Sequence, residues 1–219
     1  MATIVRGTIP ADEFALYNTL TADPELEFEV ERIVKSGPDA IMPLVWIRGG
    51  ESETVKERLD EDPSVENLSL LADFEAEQLY RMEWIDHVEL VLHMITNSNA
   101  TVMDAYGSDR SWSLRIMYPT RDSVSETHEF CRAKGLTFDV GVIRELNGEP
   151  AGRYGLSKEQ YEALRTACER GYFDVPREST LEDLADHLDV SHQALSERMR
   201  RGHRALVEDT LLVGPPNDE

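Results

Sequence analysis

The sequence predicts an α+β protein built from two domains, with strands and helices in the N-terminal part and only helices in the C-terminal part. Up to residue 146, apolar residues alternate between the period of a strand and the period of a helix, whereas beyond about residue 155 only the helical period remains. Between these parts lies a stretch of turn-forming residues without apolar periodicity. We therefore predict domains at 1–146 and 156–213, a linker at 147–155, and an acidic tail at 214–219.

Composition points to a salt-rich environment. The 219 residues include 43 acidic and 22 basic side chains, which gives a formal net charge of −21, and 18 of the basic residues are Arg against 4 Lys. The hydrophobic content of 41% is too high for a disordered acidic chain. An acid excess can serve a cationic partner or keep a surface hydrated in concentrated salt. The acids are spread along the whole length, so we favour the second interpretation, a halophilic protein.

Targeting signals point to a soluble cytoplasmic protein without a membrane partner. No apolar run approaches the roughly 20 residues that a transmembrane helix needs, and the N-terminus lacks the apolar region of a signal peptide. The two cysteines, Cys131 and Cys168, are too few for a disulfide framework.

The N-terminal domain is predicted to be internally duplicated. Its first half reads as strand 3–9, helix 11–20, strands 26–34 and 42–47, helix 51–59 and strand 65–74. Its second half reads as strand 78–85, helix 87–95, strands 100–106 and 112–118, helix 123–133 and strand 136–146. An offset of about 70–76 residues aligns Ile9 with Ile85 and Val65 with Leu136. Each half therefore has the β-α-β-β-α-β order of a ferredoxin-like fold.

Three helices are predicted in the C-terminal domain. Ser157 and Gln160 form a capping box that starts the first helix, which ends near Gly171. Thr180 caps the second helix in a similar way, with Asp183 at the fourth position. The third helix begins after Ser191 and is predicted to run to about residue 212.

The spacing of the second and third helices is that of a helix-turn-helix. The small residue Ala185 allows two steeply crossing helices to approach closely, although Asp189 stands in the turn where many such motifs have Gly. One small core is predicted from apolar residues on both helices: Leu184, Leu188, Val190, Leu195 and Met199.

The opposite side of the third helix is predicted to contact DNA. Four Arg and one Glu lie between Ser191 and Arg204, which gives a local charge of +3. Arg can form two hydrogen bonds at once with guanine or phosphate, whereas the alternative interpretation is an ordinary solvated helix face. The predicted DNA-binding residues are Ser191, His192, Gln193, Ser196, Glu197, Arg200, Arg201 and Arg204.

These motifs carry a resemblance to a known family. The opening LSKEQYEALRTA, the turn GYFDVPR and the segment LADHLDVS, followed by the charged third helix, are similar to the C-terminal domain of haloarchaeal bacterio-opsin activator-like regulators. The resemblance covers about residues 155–212, and the preceding 150 residues resemble the domain often joined to it. It implies a transcription regulator that binds double-stranded DNA.

Candidate sites in the N-terminal domain are weak. His128 and Cys131 have the i, i+3 spacing of metal ligands, but a structural zinc site usually needs four ligands. His87 and His93 would lie on opposite sides of a helix, so a shared ion is not expected. The three tryptophans, Trp46, Trp84 and Trp112, are expected in the core rather than in a ligand cage. We predict no metal site.

Three functions remain open from the sequence. The first is a regulator whose N-terminal domain senses a small-molecule signal or forms a homodimer. The second is an interaction module that docks to the transcription machinery without contacting DNA, and the third is a small-molecule-binding domain with residual enzymatic activity. The motifs GxGxxG, HExxH and GxSxG and the P-loop do not occur, so we predict neither an enzyme nor a bound cofactor. A polar exposed face on the third helix favours the first function over the second.

Overall fold

The computed structural model describes residues 1–146 and 154–210, which form two compact units. One unit is residues 1–145, and the other lies within residues 146–213. The predicted tail, the end of the third helix beyond residue 210 and most of the predicted linker lie outside the described residues.

The first half of the N-terminal unit contains six main elements. They are β1 (Thr3–Pro10), α1 (Tyr17–Ala22), β2 (Glu27–Lys35), β3 (Ile41–Arg48), α2 (Ser52–Glu61) and β4 (Val65–Asp73). The second half follows with β5 (Glu77–Trp84), α3 (Glu89–Thr96), β6 (Thr101–Ser108), β7 (Ser111–Tyr118), α4 (Arg121–Lys134) and β8 (Asp139–Glu145). The order of strands and helices is therefore the same in both halves.

All eight strands join one antiparallel sheet in the order β4-β5-β3-β2-β6-β7-β1-β8. The first strand of each half lies between two strands of the other half. Thus β1 pairs with β7 and β8, while β5 pairs with β3 and β4. The two halves cannot be separated without breaking these four pairings.

The core of this unit lies between one face of the sheet and the helices. Its centre is aromatic: the ring of Phe14 meets Trp84 and Trp112 edge to face, each at a centroid distance of 5.3 Å. Both tryptophans are fully buried, as expected. Trp46 differs from the expectation because it lies half-exposed on the other face of the sheet, stacked on Phe74.

Two predicted elements are wrong in their bounds. Residues 11–20 do not form one helix, because Phe14 is extended where it inserts between the tryptophans and Leu16 has a positive φ of 64°. A short 3₁₀ turn (Ala11–Glu13) therefore precedes α1. The last strand begins at Asp139 rather than 136, because Thr137 is held by hydrogen bonds to the carboxylate of Glu13.

The C-terminal unit contains α5 (Lys158–Glu169), α6 (Leu181–His187) and α7 (His192–Thr210). Capping boxes start α5 at Ser157 and α6 at Thr180, as the sequence indicates. The predicted core residues do pack together: Leu184, Leu195 and Met199 are buried, with Leu188 and Val190 partly buried against them.

Candidate nucleic-acid interface

The turn between α6 and α7 is tight. Asp189 adopts a positive φ of 52°, a conformation that Asp tolerates better than most residues. The amide of Val190 then donates to the carbonyl of Ala185 at 3.1 Å. Ala185 is itself buried, so its small side chain is what allows this close approach.

The start of α7 is fixed by its own cap. The hydroxyl of Ser191 accepts a hydrogen bond from the amide of Ala194 at 3.1 Å. Ser191, His192 and Gln193 are all exposed, so the first turn presents polar side chains to solvent. In a helix-turn-helix, the N-terminal residues of the recognition helix contact the base edges.

One face of α7 is anchored to the rest of the unit. Leu195 and Met199 are buried in the small core. Further along, a Cβ added at Gly202 would lie 2.8 Å from the Cδ1 atom of Leu164 on α5, so the two helices touch there at van der Waals distance. This contact fixes the rotation of α7 about its axis and thereby decides which residues face outward.

The outward face of α7 carries the predicted DNA-binding residues. Glu197, Arg200, Arg201 and Arg204 are exposed, and Ser196 is half-buried. The structure therefore brings the eight predicted residues onto one helix and its N-cap. The remaining arginine of this stretch, Arg198, is partly buried, so it does not belong to the exposed set.

Ion pairs distinguish the arginines of this face from one another. Arg201 lies 3.3 Å from the carboxylate of Glu197, and Arg204 lies 2.6 Å from that of Glu208. Within the described residues, the guanidinium of Arg200 has no acidic partner at ion-pair distance. Exposed pairs at i, i+4 contribute only about 0.3–0.5 kcal/mol, so Arg201 and Arg204 can leave their partners at little cost, whereas Arg200 is already available.

The helix that precedes the turn has the opposite charge. Glu182, Asp183 and Asp186 are exposed on α6. The hydroxyl and then the amide of Thr180 donate hydrogen bonds to Asp183 and lower the pKa of its carboxyl group. Asp183 thus stays ionised as a cap.

Within the described ranges, no three side chains of His, Cys, Asp or Glu are grouped so that they could hold a metal ion. His128 is exposed while Cys131 is buried, and burial raises the pKa of the Cys131 thiol to about 11. A thiol of such high pKa does not readily give the thiolate that binds zinc. His87 lies beside Asp86, whereas His93 stacks on Phe130 at 3.9 Å, so these two histidines have separate surroundings.

Comparison with known proteins assigns both units. A family model described as the GAF and HTH_10 associated domain (BAT) matches residues 9–150, well over half of the chain. A second, described as an HTH DNA binding domain (HTH_10), matches residues 156–208. The chain belongs to the bacterio-opsin activator family. Membership of this family agrees with the resemblance carried by the LSKEQYEALRTA and LADHLDVS segments.

A curated relative supports the family assignment. The chain is 39% identical over 66 residues to a candidate transcriptional regulator of Haloferax volcanii. The aligned stretch is 29% of this chain and only 11% of that protein, so the relative is much longer than the shared segment. In the part of the chain that the structure describes, none of the helices has both the length and the apolar content needed to cross a bilayer.

Sequence reasoning missed two features of the bacterio-opsin activator-like C-terminal unit. The first is Gly202, whose packing against α5 could have been suspected because a glycine inside a charged helix needs a reason. The second is the partly buried position of Arg198, which could have been read from its place three residues after Leu195, about 60° away on the helical wheel.

Proposed function

We propose that this chain is a sequence-specific DNA-binding transcription regulator of a halophilic archaeon, acting in the cytoplasm by binding rather than by catalysis. The observation that carries the proposal is the outward face of α7, which is polar, basic and held in a fixed rotation by the core and by Gly202. A docking surface for the transcription machinery would instead be expected to expose apolar residues.

The N-terminal half of α7 would read base edges in the major groove. Ser191, His192, Gln193 and Ser196 offer short polar groups at the N-terminal end of this helix. Arg200 lies one turn beyond Ser196 and can donate two hydrogen bonds to the O6 and N7 atoms of guanine. Its lack of a described acidic partner leaves both donors available.

The remaining residues would position the helix. Arg201 and Arg204 can exchange their carboxylate partners for phosphate oxygens, which sets the register on the duplex without reading sequence. Glu197, which also lies on the exposed face, can accept a hydrogen bond from the N4 amino group of cytosine.

We further propose that the N-terminal unit is a duplicated ferredoxin-like domain whose halves exchange their first strands. The repeated element order and the strand order of the sheet support this interpretation. The role proposed for it is to sense a small-molecule signal or to form a homodimer, since an isolated helix-turn-helix usually reads DNA as a two-fold pair.

Genome-wide mapping of bound sites tests this function directly. The full-length protein and a variant carrying Gln193→Ala with Arg200→Ala are compared in cells lacking the native gene. Discrete sites sharing a sequence element, occupied by the first protein and lost with the second, are expected. Equal occupancy of the same promoters by both proteins would favour docking to the transcription machinery and would overturn direct DNA reading.

A further inference from the structure

The two edges of the eight-stranded sheet differ in regularity. At one edge, the pairing of β4 with β5 is broken by two register shifts, and Asn67 has a positive φ of 52°. Irregularities of this kind protect an edge from further strand pairing. At the other edge, β8 pairs with β1 and with no further strand of the described residues, and it shows a single register shift against β1.

The register of β8 against β1 shows which of its side chains share a face. Asp139 lies opposite Thr8 and Arg144 lies opposite Ile4. Thr8 and Ile4 are on the same face of β1, because side chains alternate along a strand. Asp139 and Arg144 therefore share a face even though an odd number of residues separates them.

The extra residue in β8 is Gly141, which falls at the register shift between Arg6 and Gly7. Val140 lies opposite Gly7 and Ile143 lies opposite Val5. The side chain of Val5 is in the core, so Val140 and Ile143 share the face of the sheet that the helices cover. These two side chains are 38% and 49% exposed, which is high for large aliphatic groups beside a core. An exposed apolar strand edge of this kind favours pairing with another strand.

We propose that β8 pairs antiparallel with β8 of a second copy of this chain, which joins the two sheets into one sixteen-stranded sheet. In a two-fold pair centred on the bulge, Asp139 faces Arg144 of the second copy and Val140 faces its Ile143. The pattern is self-complementary in charge and in apolar character, and each contact occurs twice. Opposite-charge and apolar pairs directly across two strands are the contacts that stabilise a sheet.

The length of the connection to the DNA-binding unit also supports a second copy of this chain as the partner of β8. This argument rests on the proposed function. β8 ends at Glu145, four residues beyond the bulge at Gly141 on which the proposed two-fold axis is centred, and α5 begins at Lys158, so residues 146–157 start close to that axis. Such a stretch spans up to about 40 Å when extended. Half-sites read by helix-turn-helix dimers are about 34–36 Å apart, a distance that two such connections can serve.

Disulfide cross-linking tests the pairing in the full-length chain. Val140→Cys and Ile143→Cys are introduced together with Cys168→Ser, which removes the exposed native thiol, whereas Cys131 is buried. Mild oxidation is expected to convert most of the protein into a covalent dimer. The matched control carries Leu70→Cys and Leu71→Cys on the β4 edge, where both side chains are also exposed, again with Cys168→Ser, and is expected to form no covalent dimer. Equal cross-linking of the two variants would overturn the proposal.

A charge exchange gives a second, independent readout. Asp139→Arg or Arg144→Asp alone places like charges opposite each other, so either is expected to lower the dimer fraction in sedimentation, and the double variant is expected to restore it. Unchanged dimer fractions in both single variants, or a strictly monomeric native chain, would contradict the pairing.

A chain that cross-links through β8 but binds no DNA would count against the proposed function only. A chain that binds DNA without cross-linking would count against this interface only.

Discussion

Asp62 binds Thr19 through a single carboxylate oxygen, which accepts hydrogen bonds from the amide at 3.0 Å and from the hydroxyl at 2.6 Å. Its other carboxylate oxygen accepts from the amide and hydroxyl of Ser64. Asp62 is almost fully buried, and the hydroxyl of Ser64 in turn accepts from the amide of Leu16. This cluster ties the start of α1 to the connection between α2 and β4.

Replacing Asp62→Ala is expected to destabilise the N-terminal unit by about 3 kcal/mol or more, because several buried donors lose their acceptor. Denaturation followed by tryptophan fluorescence measures this unit selectively, since all three tryptophans lie in it. Asp60→Ala removes an exposed carboxylate near the end of α2 and serves as the control, with an expected change below about 0.5 kcal/mol. Equal stability of the two variants would show that the cluster is not structural.

Gly202→Leu is expected to destabilise the C-terminal unit by about 1–3 kcal/mol, because the new side chain must displace Leu164. Helix propensity alone would favour Leu over Gly by nearly 1 kcal/mol. At an exposed helical site the same substitution would therefore raise the free energy of unfolding, whereas here it is expected to lower it. Adding Leu164→Ala should relieve part of the clash. Circular dichroism of the four proteins gives the coupling free energy, and strictly additive effects would contradict the contact.

Acidification is expected to weaken the packing of α3 on α4. Burial lowers the pKa of His93, and the Glu126 carboxylate opposes this by a smaller amount. The Nε2 atom of His93 is buried and has no hydrogen-bond partner among the described residues. The imidazole ring stacks on Phe130, and the ammonium group of Lys134 lies over the Phe130 ring. A proton on His93 is therefore disfavoured in the folded state.

The sign follows from the unfolded state, which binds this proton with an ordinary pKa of about 6.5. The contribution of His93 to the free energy of unfolding should therefore be constant above about pH 6.5, and the free energy of unfolding should fall as the pH drops below that value. His93→Gln should flatten this dependence, whereas His128→Gln, on an exposed site of α4, should leave it unchanged. Unfolding titrations between pH 5 and 8 make the comparison, and identical slopes in both variants would exclude His93 as the cause.

Local sequence signals predicted most of the fold. The capping boxes at Ser157 and Thr180 and the alternation within β3 and β5 are properties of neighbouring residues, so they could be read directly. The start of α1 could not be predicted from neighbouring residues. Phe14 is held in an extended conformation by Trp84 and Trp112, which follow it in the sequence by about 70 and 98 residues. The pairing of β1 with β7 and β8, and of β5 with β3 and β4, is likewise long-range and has no local signal.

The candidate site shows the same division. Helical periodicity separated Leu195 and Met199 from the outward residues, which placed Gln193 and Arg200 correctly on the exposed face. Ion pairing was not predicted, because whether a long side chain such as Arg204 turns to Glu208 depends on rotamers rather than on spacing alone.

Specific DNA binding is expected to persist at salt concentrations that dissociate ordinary repressors. Phosphate contacts weaken with salt by a log–log slope of about −0.9 for each contact, and a chain of net charge −21 also repels the duplex. Base contacts and cations held between the DNA and the acids of α6 would flatten that slope. Operator affinity measured from low to multimolar potassium chloride, with folding checked at each point, tests this expectation. A steep monotonic loss in a folded protein would contradict it.

The most direct measurement compares Arg200→Ala with Arg165→Ala in binding to the mapped operator and to a scrambled duplex. Arg165 is an exposed arginine of α5 paired with Glu169, so its removal changes the net charge equally. Loss of Arg200 is expected to cost about 1–3 kcal/mol on the operator and to reduce the preference for it over the scrambled duplex, while Arg165→Ala should leave that preference unchanged. Equal operator affinity and equal preference in the two variants would contradict reading of DNA by α7.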